Sequence, residues 1–170
     1  MQNHCFRDFK RCLTSRADAI ADIRGSEKYP NIMGTVLFFK HNGGVIVKTE
    51  LFGLPKSEDI CTTEFFGFHI HSGTECSGNS EDLFANAKQH YNPNNCTHPN
   101  HSGDMPPLLG AGGKVYSVFL TNNFTIDEII GKTIIVHHSG DDFTSQPSGN
   151  AGEKIACGII KPFGYRRYGL

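Results

Sequence analysis

No apolar run in this 170-residue chain approaches the roughly 20 residues needed to span a bilayer, so no membrane helix is expected. The stretch from Met1 to Arg24 carries charges throughout and lacks the apolar core of a secretory signal. That favours a cytoplasmic location, or an extracellular or periplasmic one if a leader has been removed. Charge of one sign is missing too: charged residues make up 19% of the chain and the formal net charge is −1. This excludes the usual basic nucleic-acid binder and the acidic disordered tail. The basic, aromatic stretch 161–167 is taken as a solvated tail, because no wider basic surface supports it. There is no internal repeat, low-complexity tract or domain boundary.

At 38% hydrophobic residues, the chain can bury one ordinary core without staples. We divide it into an N-terminal arm, 1–18, and one domain, 19–170. In the arm, Phe6, Phe9 and Leu13 fall at helical spacing. If that segment is helical, Cys5 and Cys12 are separated by about 10 Å of rise, too far to bond. Nineteen glycines and eight prolines favour turns and short strands. Strands are expected over 19–25, 32–40, 45–52, 65–71, 113–121, 133–137 and 155–161. The turn His41-Asn42-Gly43-Gly44 joins the second to the third as a hairpin. In the third, Val45, Val47 and Glu50 are set against Ile46, Lys48 and Leu51. Such a set forms an antiparallel sandwich or Greek-key barrel. Two connections, 72–112 and 138–153, are longer than structureless loops usually are, which marks them as functional.

Chemistry concentrates in those loops and beside them. Seven of the nine histidines lie between His69 and His138. In Phe68-His69-Ile70-His71 the two imidazoles leave the same face of a strand and can reach one metal. His90, and then His98, His101 and Asp104 in a Pro/Gly-rich loop, suit a tetrahedral zinc set. His137 ends an apolar strand, and Asp141 follows close enough to orient a ligating imidazole. His138 points to the opposite face and is left out of the site. Six cysteines is an even number, and a chain of this size does not require disulfides, so at least one pair needs another reason to exist. Cys61 and Cys96 can bond only if the fold brings their Cα atoms within about 7 Å. Cys96 is also an alternative thiolate ligand for zinc, ranked below Asp104. Three N-x-S/T sites, at Asn95, Asn100 and Asn123, are taken as chance.

Several segments in order resemble the copper–zinc superoxide dismutases. They are Gly67-Phe68-His69-Ile70-His71, His90-Tyr91-Asn92-Pro93, His101-Ser102-Gly103-Asp104, Gly131-Lys132-Thr133-Ile134-Ile135-Val136-His137, and Gly149-Asn150-Ala151-Gly152-Glu153-Lys154-Ile155-Ala156-Cys157-Gly158. The spacing from His71 to Cys76, and Met105-Pro106-Pro107 after Asp104, are closer to the bacterial branch. The resemblance implies an all-β fold, a flattened Greek-key barrel of about eight antiparallel strands with two long functional loops. It implies copper on His69, His71, His90 and His137, with His90 bridging to zinc on His98, His101 and Asp104. Asp141 would link the two ligand shells. Cys76 and Cys157 match the family's disulfide; a free buried thiol is the alternative for Cys157.

The implied activity is disproportionation of superoxide to oxygen and hydrogen peroxide, with His90 delivering a proton. Lys154 stands where the family usually has an arginine; it keeps the charge that attracts the anion but loses the planar fork, so reduced but appreciable activity is expected. Steering by Lys154 and the metals would make the rate fall with ionic strength. The loops 98–101 and 137–154 are shorter than is usual in the family. Superoxide is the expected partner, with no nucleic acid or membrane, and a homodimer is compatible with the resemblance. Two other readings use the same residues: a copper/zinc storage or delivery protein with a dismutase-like fold, and a sandwich with zinc as a staple.

Overall fold

The computed structural model describes residues 15–164. The helix expected around Phe6, Phe9 and Leu13, the Cys5–Cys12 pair and residues 165–167 of the tail lie outside them.

Three strands, β1 (Ala19–Gly25), β2 (Met33–His41) and β3 (Gly44–Phe52), run antiparallel in sequence order. His41 pairs with Gly44 across the turn, so Asn42 and Gly43 form a two-residue hairpin loop. Gly43 takes φ 93°, a left-handed value that glycine adopts without strain. In β3 the expected faces are corrected at the end of the strand. Strict period two puts Leu51 with Val45 and Val47 in the main core, and Glu50 with Ile46 and Lys48 on the other face. There Lys48 and Glu50 pair at 2.8 Å, while Ile46 packs with Phe39 in a small separate cluster.

Six further strands follow: β4 (Phe65–Phe66), β5 (Phe68–His71), β6 (Leu108–Leu109), β7 (Lys114–Thr121), β8 (Thr133–His137) and β9 (Lys154–Pro162). Seven form one antiparallel sheet in the order β5-β8-β9-β1-β2-β3-β7, and β4 pairs with β6. β6 also lies against β7, and β4 runs into β5, so the two edges of the curled sheet approach each other. This is the expected all-β Greek-key architecture, with nine strands among the described residues where about eight were expected. Its core is one cluster that includes Val36, Phe38, Phe68, Ile70, Val136 and Ile160.

The single strand expected over 65–71 is divided at Gly67. Its N–H donates to the Ser139 carbonyl at 2.7 Å, and its carbonyl accepts from the His137 N–H at 2.8 Å. A Cβ here would stand 2.7 Å from the Ala151 Cβ, so only glycine lets the second long loop pack this closely over the strand. One helical turn, α1 (Ile126–Ile129), was not expected. Thr125 donates its N–H and its hydroxyl to the Glu128 carboxylate at 2.6 and 2.7 Å, while Ile126 and Ile129 are buried. Threonine followed three residues later by glutamate is a helix-start signal that was there to be used. Among the described residues no helix is long and apolar enough to cross a membrane.

Candidate metal centre

β5 sends Phe68 and Ile70 into the main core, which turns His69 and His71 to the opposite face. The first long loop is clamped across that strand. Ile70 donates to the Gly103 carbonyl at 2.9 Å and accepts from the Tyr91 N–H at 2.8 Å. These two bonds set His90 opposite His71, and Asp104 opposite His69. β8, paired with β5, brings in His137.

The result is two buried groups that share one residue. His69, His71, His90 and His137 form the first; His90, His98, His101 and Asp104 form the second. Within each, the potential ligand atoms lie within 4.8 Å of one another. The hydrogen bonds on the far side of each ring fix its tautomer. His71 Nδ1 donates to the Lys88 carbonyl at 2.8 Å, and His137 Nδ1 to the Gly152 carbonyl at 3.1 Å. Both therefore point a lone pair from Nε2, and these two nitrogens face each other at 3.3 Å. Opposed lone pairs repel unless a cation lies between them. His69 Nδ1 and His90 Nε2, the remaining inward nitrogens of this group, are buried without a hydrogen-bond partner. A transition metal that favours imidazole, such as copper, satisfies all four.

The second group has the donor set of zinc, three imidazoles and a carboxylate. His90 Nδ1 lies 2.7 Å from Asp104 Oδ1 and 3.4 Å from His101 Nδ1. His98 Nδ1 is 3.1 Å from Asp104 Oδ2 but out of hydrogen-bonding geometry. Asp141 joins the groups from behind: its Oδ2 accepts from His69 Nε2 at 2.7 Å and its Oδ1 from His98 Nε2 at 2.9 Å. The left-handed Gly149 (φ 67°) lies against this carboxylate, where a Cβ would come within 2.0 Å of Asp141 Oδ1.

Burial acts to raise the Asp141 carboxyl, but hydrogen bonds from His69, the Phe143 N–H and His98 outweigh it and hold it below the usual carboxylate range. Asp104 is lowered in the same way: burial opposes, and bonding to His90 prevails. Burial pushes His137 down to about 3, helped by the charge of neighbouring His69. It also lowers His71 and His69. Burial thus favours the neutral imidazole, the form in which histidine binds a metal.

Stability of the metal-free protein should follow. An unfolded histidine protonates near 6.5 and the folded His137 only near 3, so the unfolded state binds more protons between those values. Stability is fully present above about pH 6.5 and is lost as pH falls toward 3, by several kcal/mol in total. Denaturant unfolding of chelator-treated protein at stepped pH tests this; a flat profile from pH 7 to 4 would contradict it.

Lys154 starts β9, and its ammonium reaches Asp82 Oδ2 at 2.6 Å and the Phe84 carbonyl at 3.3 Å. Cys76 and Cys157 form a disulfide, with Cα atoms 5.7 Å apart. Cys61 and Cys96 are exposed free thiols, so the second disulfide is not formed, and Cys96 belongs to neither metal group. His138 is exposed and outside both groups.

Four supports were missed by sequence reasoning. The carbonyls of Lys88 and Gly152 carry no side-chain signal. Gln146 clasps His98, its Oε1 accepting the His98 N–H at 3.1 Å and its Nε2 donating to the His98 carbonyl at 2.7 Å. Asp82 lies 72 residues from Lys154 in the chain, beyond any local pattern.

Comparison with known proteins agrees with this geometry. A family profile described as copper/zinc superoxide dismutase matches residues 32–160. The chain is 35% identical over 147 residues to superoxide dismutase [Cu-Zn] 2 of Aquifex aeolicus, covering 76% of this chain and 80% of that one. It is 31% identical over 143 residues to superoxide dismutase [Cu-Zn] of Photobacterium leiognathi, covering 76% and 79%. A crystal structure of a double mutant of a SOD-like protein from Bacillus subtilis superposes with a TM-score of 0.67 at 26% identity, covering 84% and 96%. Both histidine groups and the disulfide fall within the matched stretch, and on these grounds the chain belongs to the copper/zinc superoxide dismutase family of oxidoreductases.

Proposed function

We propose that this chain disproportionates superoxide, two superoxide anions and two protons giving one oxygen and one hydrogen peroxide. His69, His71, His90 and His137 hold copper; His90, His98, His101 and Asp104 hold zinc. The observation that carries this reading is His90, whose two ring nitrogens face two different ligand groups. When bound, copper supplies the one-electron redox chemistry, and zinc, which has none, supplies charge and a fixed geometry.

The chain's own residues do the rest. Lys88 and Gly152 carbonyls keep the Nε2 lone pairs of His71 and His137 inward, and Asp141 does the same for His69 Nδ1. His90 Nε2 is the nitrogen that would hold a proton and deliver it to substrate, while Nδ1 faces Asp104 in the second group. Lys154 orients the incoming anion.

Pulse radiolysis of protein loaded with both metals tests the reading. Catalytic decay of superoxide at about one copper per chain is expected. Negligible decay with both metals bound would instead indicate metal storage or delivery.

A further inference from the structure

Beside His137 is a cavity of about 370 Å³ lined by Lys28, Glu81, Asp82, Gly152, Glu153 and Lys154, with Leu83 at its wall. One of its lining residues, Gly152, touches the first histidine group from behind, its carbonyl accepting from His137 Nδ1. A small anion approaching from this side meets an unexpected balance of charge. Three carboxylates, Glu81, Asp82 and Glu153, outnumber two ammonium groups, Lys28 and Lys154. Both ammonium groups are already paired, Lys28 with Glu153 at 2.8 Å and Lys154 with Asp82 at 2.6 Å.

The Asp82 pairing is built into the loop. Asn79 Oδ1 accepts the N–H groups of Glu81 and Asp82 at 2.9 and 3.0 Å, which fixes the turn. Asp82 Oδ1 accepts the Phe84 N–H at 2.9 Å, leaving Oδ2 for Lys154. Phe84 in turn is buried with Ala87, Ile135 and Cys157. The Lys154 side chain is 16% exposed and that of Asp82 41%, so the pair sits at the rim. An ammonium has three donors. Asp82 and the Phe84 carbonyl take two of them, leaving one without an acceptor among the described residues.

We propose that Asp82 is a positioning residue that competes with the incoming anion for Lys154, so that full use of the ammonium by a small anion requires the Asp82 carboxylate to give way. The proposal rests on the copper site proposed above. It makes anion affinity at this site a property set by a residue that touches neither metal group.

Azide titrated into copper- and zinc-loaded protein, followed by the Cu(II) absorption spectrum, measures this without turnover. Asp82→Asn keeps an oxygen to accept the Phe84 N–H, so the loop is retained. It should tighten azide binding about three- to tenfold, the scale of a freed rim charge. In a Lys154→Gln background the same change should shift the constant by less than about twofold. An equal shift in both backgrounds would mean only a general field effect and would overturn the proposal, as would no shift when Lys154 is present. Failure of the dismutase reading looks different: the protein then binds copper and azide without destroying superoxide, and the cycle still decides the role of Asp82. A parent protein that takes up no copper would overturn both.

Discussion

Replacing His137 by alanine should remove catalytic superoxide decay, lowering the rate by more than about 100-fold at matched copper content. The bound follows from chemistry behind the ligands, since loss of a partner that merely orients a ligand costs about 10–100-fold in affinity or activity. His137 is itself one of four inward imidazoles, and its Nε2 lies 3.3 Å from that of His71. Three imidazoles still bind copper, so metal content must be measured and equalised before rates are compared. His137 takes no part in the second group, so zinc uptake should be unchanged. His101→Ala provides the contrast: it removes one member of the proposed zinc group and leaves all four inward imidazoles of the first group. Decay that survived in His137→Ala at full copper loading would mean that the copper set is wrong. Loss of zinc together with copper would mean that the two groups are not separable through this residue.

What could be read from the sequence was what repeats at short range. Period two placed His69 and His71 on one face because Phe68 and Ile70 fill the core between them. The strand 133–137 was legible as an apolar run, and the hairpin at Asn42-Gly43 by its turn chemistry. Where the pattern weakened, the reading slipped. Glu50 and Leu51 were assigned to each other's faces, and Gly67 was read through as part of a strand, although its packing against Ala151 depends on a segment 84 positions later. The site behaves similarly. The candidate ligand side chains that the fold gathers into two groups were recognisable by type and order, but the tautomers that aim them depend on carbonyls of Lys88 and Gly152, which any residue could supply. Lys154 was visible as a positive charge, whereas its ion-pair partner Asp82 becomes visible only when the first loop is folded onto β9. The pairing of that lysine with Asp82 is therefore what the sequence reading of the charge lacked.

Loss of the disulfide should destabilise this chain by about 4–5 kcal/mol, the closure entropy for partners as far apart in sequence as Cys76 and Cys157, 81 residues. Cys76→Ala with Cys157→Ala is the suitable variant, because Cys157 is 2% exposed and a serine hydroxyl there would be buried. Urea unfolding of the metal-loaded double variant against its parent measures the difference, and a loss below about 1 kcal/mol would show that closure is not what the bond contributes. The location of the bond predicts a second, unequal effect. Cys76 and Cys157 pack with Phe84, Ala87 and Ile135, under the part of the loop that holds the Lys88 carbonyl against His71 Nδ1. The same segment holds Asp82 against Lys154. Freeing it releases His71 to rotate and to change tautomer, whereas His98 remains clasped by Gln146 and Asp141 from the other loop. Copper affinity should therefore fall further than zinc affinity when the bond is removed. Equal losses would mean that the disulfide stabilises the fold as a whole and has no separate part in orienting the copper ligands.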